Sequence, residues 1–106
     1  MILKGDTVSK GKVKGKIKII KGIEDVKSVN SNHIVVTSDN SPLYSVAYIN
    51  AKGIISEVGG KLCHLAIVAR ELKKPAILNV EGAMDKLEDG MLVKMGENDG
   101  EIKIIE

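Results

Sequence analysis

The sequence has no tryptophan, no phenylalanine and two tyrosines, so aromatic residues make up only 2% of its 106 positions. A core drawn from such a chain is expected to be aliphatic, built from Ile, Val, Leu and Ala. The same lack removes the platforms on which unstacked bases lie. Sixteen basic residues stand against fourteen acidic ones, and a net charge of +2 is too near balance to argue for nucleic acid. A single cysteine excludes an internal disulfide framework. One Cys and two His do not make a ligand set, so no metal site is expected. Charges arrive at Lys4 and Asp6 before any apolar run, so neither a signal peptide nor a membrane span is expected. A cytoplasmic location follows by default.

What is present is a globular composition, 43% hydrophobic, in a length suited to one domain over residues 1–106. From Val8 to Lys21, lysines at 12, 14, 16 and 18 alternate with Val13, Ile17 and Ile19. That period of two predicts a strand with one wet face, and Gly11 and Gly15 suggest a bend or bulge. The lysines read as a solvated face that discourages edge pairing, with docking to an acidic partner as the sharper alternative. Asn30 to Asn32 predicts a turn and Ile34 to Thr37 a second strand. His33 reads as a turn residue before that strand. Ser41-Pro42 is a helix start, because serine caps well and proline is tolerated at the first helical position. That helix runs to about Ile49 and offers Leu43, Val46, Ala47 and Ile49 to the core. Gly53 to Ser56 is a buried strand candidate, and Ala76 to Val80 another. Ala83 to Leu87 is a helical turn. Met91 to Met95 and Glu101 to Ile105 form a hairpin around Asn98-Asp99-Gly100.

The stretch with chemical content is Glu57-Val-Gly-Gly-Lys-Leu-Cys-His64-Leu-Ala-Ile-Val-Ala-Arg70. Lys61 to Leu72 predicts an amphipathic helix, with Leu65, Val68, Ala69 and Leu72 at helical spacing and Pro75 beyond its end. The first N–H groups of a helix have no internal partner and attract anions. Gly59 and Gly60 let backbone approach a ligand closely, or simply form a tight turn. Side chains on a helix tilt toward its N-terminus, so His64, three or four residues in, points its imidazole at those N–H groups. A phosphoryl group on the ring then places its oxygens on the same donors, as a reversible carrier requires. An ordinary cap or a satisfied core residue is the bland alternative for His64. Cys63 reads as a small buried hydrophobe. Arg70 does not share the face of His64, and an ion pair with Glu57 or Glu71 is its expected role ahead of direct phosphate contact. Thr37, Asn40 and Ser41 are candidates to line the pocket from the neighbouring loop.

GGKLCHLAIVARELKKPAIL, residues 59–78, closely resembles the phosphohistidine motif of the mobile domain of phosphoenolpyruvate-utilising enzymes. That family includes phosphoenolpyruvate synthase, pyruvate phosphate dikinase and enzyme I of the sugar phosphotransferase system. The matching positions are Gly59, Gly60, Lys61, Leu62, Cys63, His64, Ala69, Arg70, Pro75 and Ala76. VSKGKVKGKIKII resembles the family's first strand, Thr37 to Pro42 its loop before the first helix, and LEDGMLVKMGENDGEIKI its closing hairpin. The resemblance implies an α/β fold, a single swivelling β/β/α domain, with His64 as the phosphorylated residue. Gly59, Gly60, Lys61, Leu62 and Cys63 then hold the phosphate, with Thr37, Ser41 and Arg70 in support. Leu62 departs from the usual Thr, whose hydroxyl can bond the phosphoryl group.

The function implied is that of a stand-alone phosphocarrier. It acts with separate ATP-binding and phosphoenolpyruvate- or pyruvate-binding partners, and with neither nucleic acid nor membrane. The chain itself is expected to bind no cofactor, with Mg²⁺ supplied in the partner active site. The alternative is a non-catalytic regulatory or interaction module that keeps the fold.

Overall fold

The computed structural model describes residues 1–38, 41–60 and 62–105. Its centre is a run of parallel strands: β3 (Val13–Ile20), β4 (His33–Thr37), β5 (Gly53–Ser56) and β6 (Ala76–Leu78). Strands β4, β5 and β6 (HIVVT, GIIS and AIL) are mostly apolar and almost wholly buried, the composition of strands covered on both faces. The antiparallel strands β1 (Ile2–Lys4), β2 (Asp6–Ser9), β7 (Leu92–Met95) and β8 (Glu101–Ile104) complete a sheet of order β1-β8-β7-β3-β4-β5-β6-β2.

The ends of that order, β1 and β2, are separated in sequence by Gly5 alone. The sheet therefore curls until its two edges meet. The Gly5 N–H donates to the Gly100 carbonyl at 2.8 Å, and the Gly100 N–H donates to Thr7 Oγ1 at 2.8 Å, fastening the seam. Curling gives the sheet an inner and an outer face, and each strand alternates between them. Ile34 and Val36 point inward to Leu3, Ile17, Ile55 and Ile102. Val35 points outward to a second cluster. Three connecting helices cover that outer cluster: α1 (Ile23–Val26), α2 (Ser45–Asn50) and α3 (His64–Leu72). The fourth, α4 (Ala83–Lys86), instead adds Ala83 to the inner cluster. The layers are thus helices, parallel sheet and curled antiparallel flank, the expected β/β/α arrangement. Each fully buried Ile, Leu or Val contributes about 1.5–3 kcal/mol relative to exposure. No described helix is long and apolar enough to cross a membrane.

Several expectations need correction. The stretch from Val8 to Lys21 is not one strand. It breaks at residues 10–12 into β2, paired with β6, and β3, paired with β4 and β7. Gly11 marks the break with φ +152°, so the glycine signal for a bend was sound. Because β3 lies between two neighbours, its lysines guard no edge. The second helix begins as a 3-10 turn over Pro42–Tyr44, capped by Ser41, whose Oγ accepts from the Leu43 N–H at 3.2 Å. Leu43, Val46 and Ile49 are exposed, and the buried stripe is Tyr44, Ala47, Tyr48 and Ala51. That stripe has the full i, i+3, i+4, i+7 spacing of a helix seam, which Leu43, Val46 and Ile49 lack. The core is consequently not purely aliphatic, since both tyrosines enter it.

Candidate functional site at the start of α3

Parallel strands β3 to β6 all present their C-terminal ends at one edge, the position where open α/β sheets receive ligands. Thr37 ends β4 and Ser56 ends β5, side by side in register and both fully buried. Ser56 Oγ accepts from the Val58 N–H at 3.2 Å, and the Thr37 carbonyl accepts from the Glu57 N–H at 3.0 Å. Glu57 turns back, and its carboxylate accepts from the Met84 N–H at 2.9 Å at the start of α4. These bonds fix the root of the loop that leads into α3.

The loop continues through Gly59, whose φ of +119° is a conformation that disfavours any Cβ. A Cβ at Gly60 would meet nothing within 4 Å, so this backbone stands open on one side. The Cys63 N–H donates to the Gly60 carbonyl at 3.1 Å and closes a turn. Cys63 is then the N-cap of α3, its Sγ accepting from the Ala66 N–H at 3.4 Å and its carbonyl from the Ile67 N–H at 3.1 Å.

His64 is therefore the first residue of α3, not the third or fourth, and its side chain is exposed. The Ala66 and Ile67 donors are taken by Cys63, and Cys63's own N–H by Gly60. The His64 and Leu65 N–H groups occupy the helix positions that have no acceptor within the helix. An anion beside His64 meets those two donors and the positive end of the helix dipole.

The C-terminal edge brings Thr37, Ser41, Gly59, Gly60, Leu62, Cys63 and His64 to one end of the molecule. Lys61 and Asn40 lie outside the described residues. Leu62 sits in the turn before α3 with 87% of its surface exposed. Cys63 packs partly against the outer cluster, as a small hydrophobe does, and also caps the helix. Arg70 goes elsewhere: its Nε donates to the Val8 carbonyl at 2.8 Å, tying α3 to β2. Of the two ion-pair partners expected for it, Glu57 is bonded to Met84, and Arg70 forms no ion pair with Glu71 among the described residues. Ser56 and Glu57 were missed as supports, although a buried strand ending in Ser-Glu before Gly-Gly was their signal.

The fold and the site together are those of a small α/β domain with an exposed histidine at the start of a helix. The model of the mobile domain of PEP-utilising enzymes matches residues 29–100, and the chain belongs to that family. Phosphoenolpyruvate synthase of Helicobacter pylori is 37% identical over 101 residues, which are 95% of this chain and 12% of that protein. The chain thus spans about an eighth of that relative. A crystal structure of Thermococcus kodakaraensis aconitase X superposes with a TM-score of 0.73 at 20% identity, covering 100% of this chain and 99% of that one. A solution structure of Enzyme I gives 0.63 at 23% identity, covering 74% of this chain and 33% of that one. The last two are likenesses of fold, and a fold alone does not carry a function.

Proposed function

We propose that His64 accepts and donates a phosphoryl group. The carrying observation is its position as the exposed first residue of α3, beside the His64 and Leu65 N–H groups, inside the stretch that the family model matches. In the forward step a ring nitrogen of His64 attacks the phosphorus of a donor in line. An N–P bond forms as the P–O bond to the leaving oxygen breaks. The family pattern suggests Nε2 as that nitrogen. The reverse step passes the group to an acceptor and restores the free ring. The helix start serves both states, because the same donors face the site with or without the phosphoryl oxygens.

Gly59, Gly60, Lys61, Leu62 and Cys63 are assigned to hold the phosphoryl group, supported by Thr37 at the end of β4 and Ser41 at the cap of the 3-10 turn. The ATP-binding and phosphoenolpyruvate- or pyruvate-binding sites lie outside these 106 residues. Mg²⁺ enters with the donor in those sites, and the setting is cytoplasmic. The test is exposure to ATP or phosphoenolpyruvate in cell extract, then mass spectrometry under alkaline conditions that preserve phosphohistidine. A phosphoryl group on a residue other than His64 rejects the reading.

One observation favours a second reading, a regulatory or interaction module. Leu62 exposes a large apolar side chain at the site and offers no hydroxyl to a phosphoryl group. Wild-type protein that takes up no label from any donor, while a partner binds it and His64→Ala equally, would establish that reading.

A further inference from the structure

The outer face of the antiparallel flank carries a row of like charges that the fold does not explain. Lys14 of β3 stands directly opposite Lys94 of β7, and Lys94 directly opposite Lys103 of β8. Direct partners in antiparallel strands share a face, and like charges so placed repel. The inward neighbours Val93, Met95 and Ile102 fill the inner cluster, so the lysines point away from it. Helices α1, α2 and α3 pack over the other cluster and leave the row open. Lys14 and Lys103 are exposed, and Lys94 keeps 40% of its side chain exposed although Glu97 approaches it at 3.4 Å. Lys14, Lys94 and Lys103 wall a hollow of about 300 Å³ together with Ile104 and Ile105. Ile2, in register with Lys103, is 49% exposed, and Ile105 is 39% exposed.

We propose that this face docks an acidic protein surface. Three aligned ammonium groups offset their repulsion when carboxylates settle among them. The exposed isoleucines favour a protein over a nucleic acid, because they gain from an apolar counterpart that phosphates do not offer. Stacking residues are absent as well: both tyrosines are buried, and Arg70 is bonded to Val8. The row also leaves the helix start free. Lys14 precedes the first β3–β4 pair, Lys16 with His33, whereas His64 follows the far end of β5. The face and His64 therefore lie at opposite ends of the parallel ladder, so both can be engaged at once. This inference does not rest on phosphoryl transfer.

The test titrates nitrogen-15-labelled protein with a short peptide of repeating Glu-Glu-Leu and, separately, with oligothymidylate. The peptide is expected to shift the amides of residues 14, 94, 103 and 104, to leave 62–67 unmoved, and to lose affinity as salt is raised. Lys94→Glu makes the row alternate in sign. It should weaken the peptide by about tenfold or more. Equal binding by Lys94→Glu overturns the proposal. So do peptide shifts spread evenly over Lys21, Lys27, Lys73 and Lys74, and so does oligothymidylate binding tighter than the peptide.

Discussion

His64 begins α3 with its side chain exposed, so removing the ring leaves no cavity. His64→Ala should abolish acid-labile phosphorylation and change stability by about 1 kcal/mol or less. His33→Ala should label as wild type does. Leu62→Thr adds the hydroxyl that the motif resemblance implies at this position, and should increase labelling modestly, since one hydrogen bond contributes about 1 kcal/mol. Label surviving in His64→Ala would show that another residue is the nucleophile.

His33 itself predicts a pH effect. Its Nδ1 accepts from the Asn30 N–H at 3.1 Å, a bond suited to the neutral ring. Burial holds its pKa below the usual 6.5; Lys18 and Lys16 push it the same way, and Asp89 opposes them. Because the folded value is depressed, the unfolded chain binds the proton first. The stability contribution is therefore full above pH 6.5 and is lost as pH falls through the folded value. Urea midpoints should fall over that window in wild type and stay flatter in His33→Gln. Identical pH slopes in the two proteins would refute this.

Helix α3 owes its start to an unusual cap. Sulfur is a weak acceptor, so Cys63 holds the Ala66 N–H at 3.4 Å where a serine hydroxyl would come closer. Cys63→Ser should hold or raise stability, while Cys63→Ala should cost about 0.5–2 kcal/mol, the ordinary loss for an N-cap. Thermal unfolding of the pair reads the difference, and an alanine variant as stable as the serine one would deny the cap.

The sequence made this helix legible, since Leu65, Ala69 and the stop at Pro75 declared it, but not its first residue. A cysteine cap is absent from the usual Ser, Thr, Asp and Asn signals, so the helix was placed too early and His64 too deep. Helix α2 shows a different failure. Two apolar stripes overlapped there, and only the packing of Tyr44 and Tyr48 against the sheet decided between them. The site was legible as far as its local pattern reached, in Gly59, Gly60, Cys63 and His64. Ser56 and the Glu57–Met84 bond depend on strand neighbours that a single sequence does not display.

The curl of the sheet was the feature least visible in the sequence, and it rests on Gly5. Period two showed that strands exist, but nothing local showed that β1 and β2 lie at opposite ends of one sheet and meet. A Cβ at Gly5 would stand 2.5 Å from the Leu78 carbonyl oxygen and 2.6 Å from Val80 Cγ2, so backbone must move to admit it. Gly5→Ala should therefore cost about 1–3 kcal/mol, the range for overpacking. Gly22→Ala is the control. Its backbone is extended at φ −165°, and nothing lies within 4 Å of the added carbon, so it should stay within about 0.5 kcal/mol of wild type. Gly100→Ala strains the same seam from the other side, because its Cβ would strike the Gly5 carbonyl at φ +73°. Once one variant has opened the seam, the other has less to disturb, so the double variant should lose less than the sum of the two. Urea unfolding of the four proteins measures this. Strict additivity, or a Gly5→Ala variant as stable as Gly22→Ala, would mean that the sheet edges do not meet at Gly5. His64 should still take up label in every variant that remains folded, since the seam and the start of α3 are separate parts of the molecule.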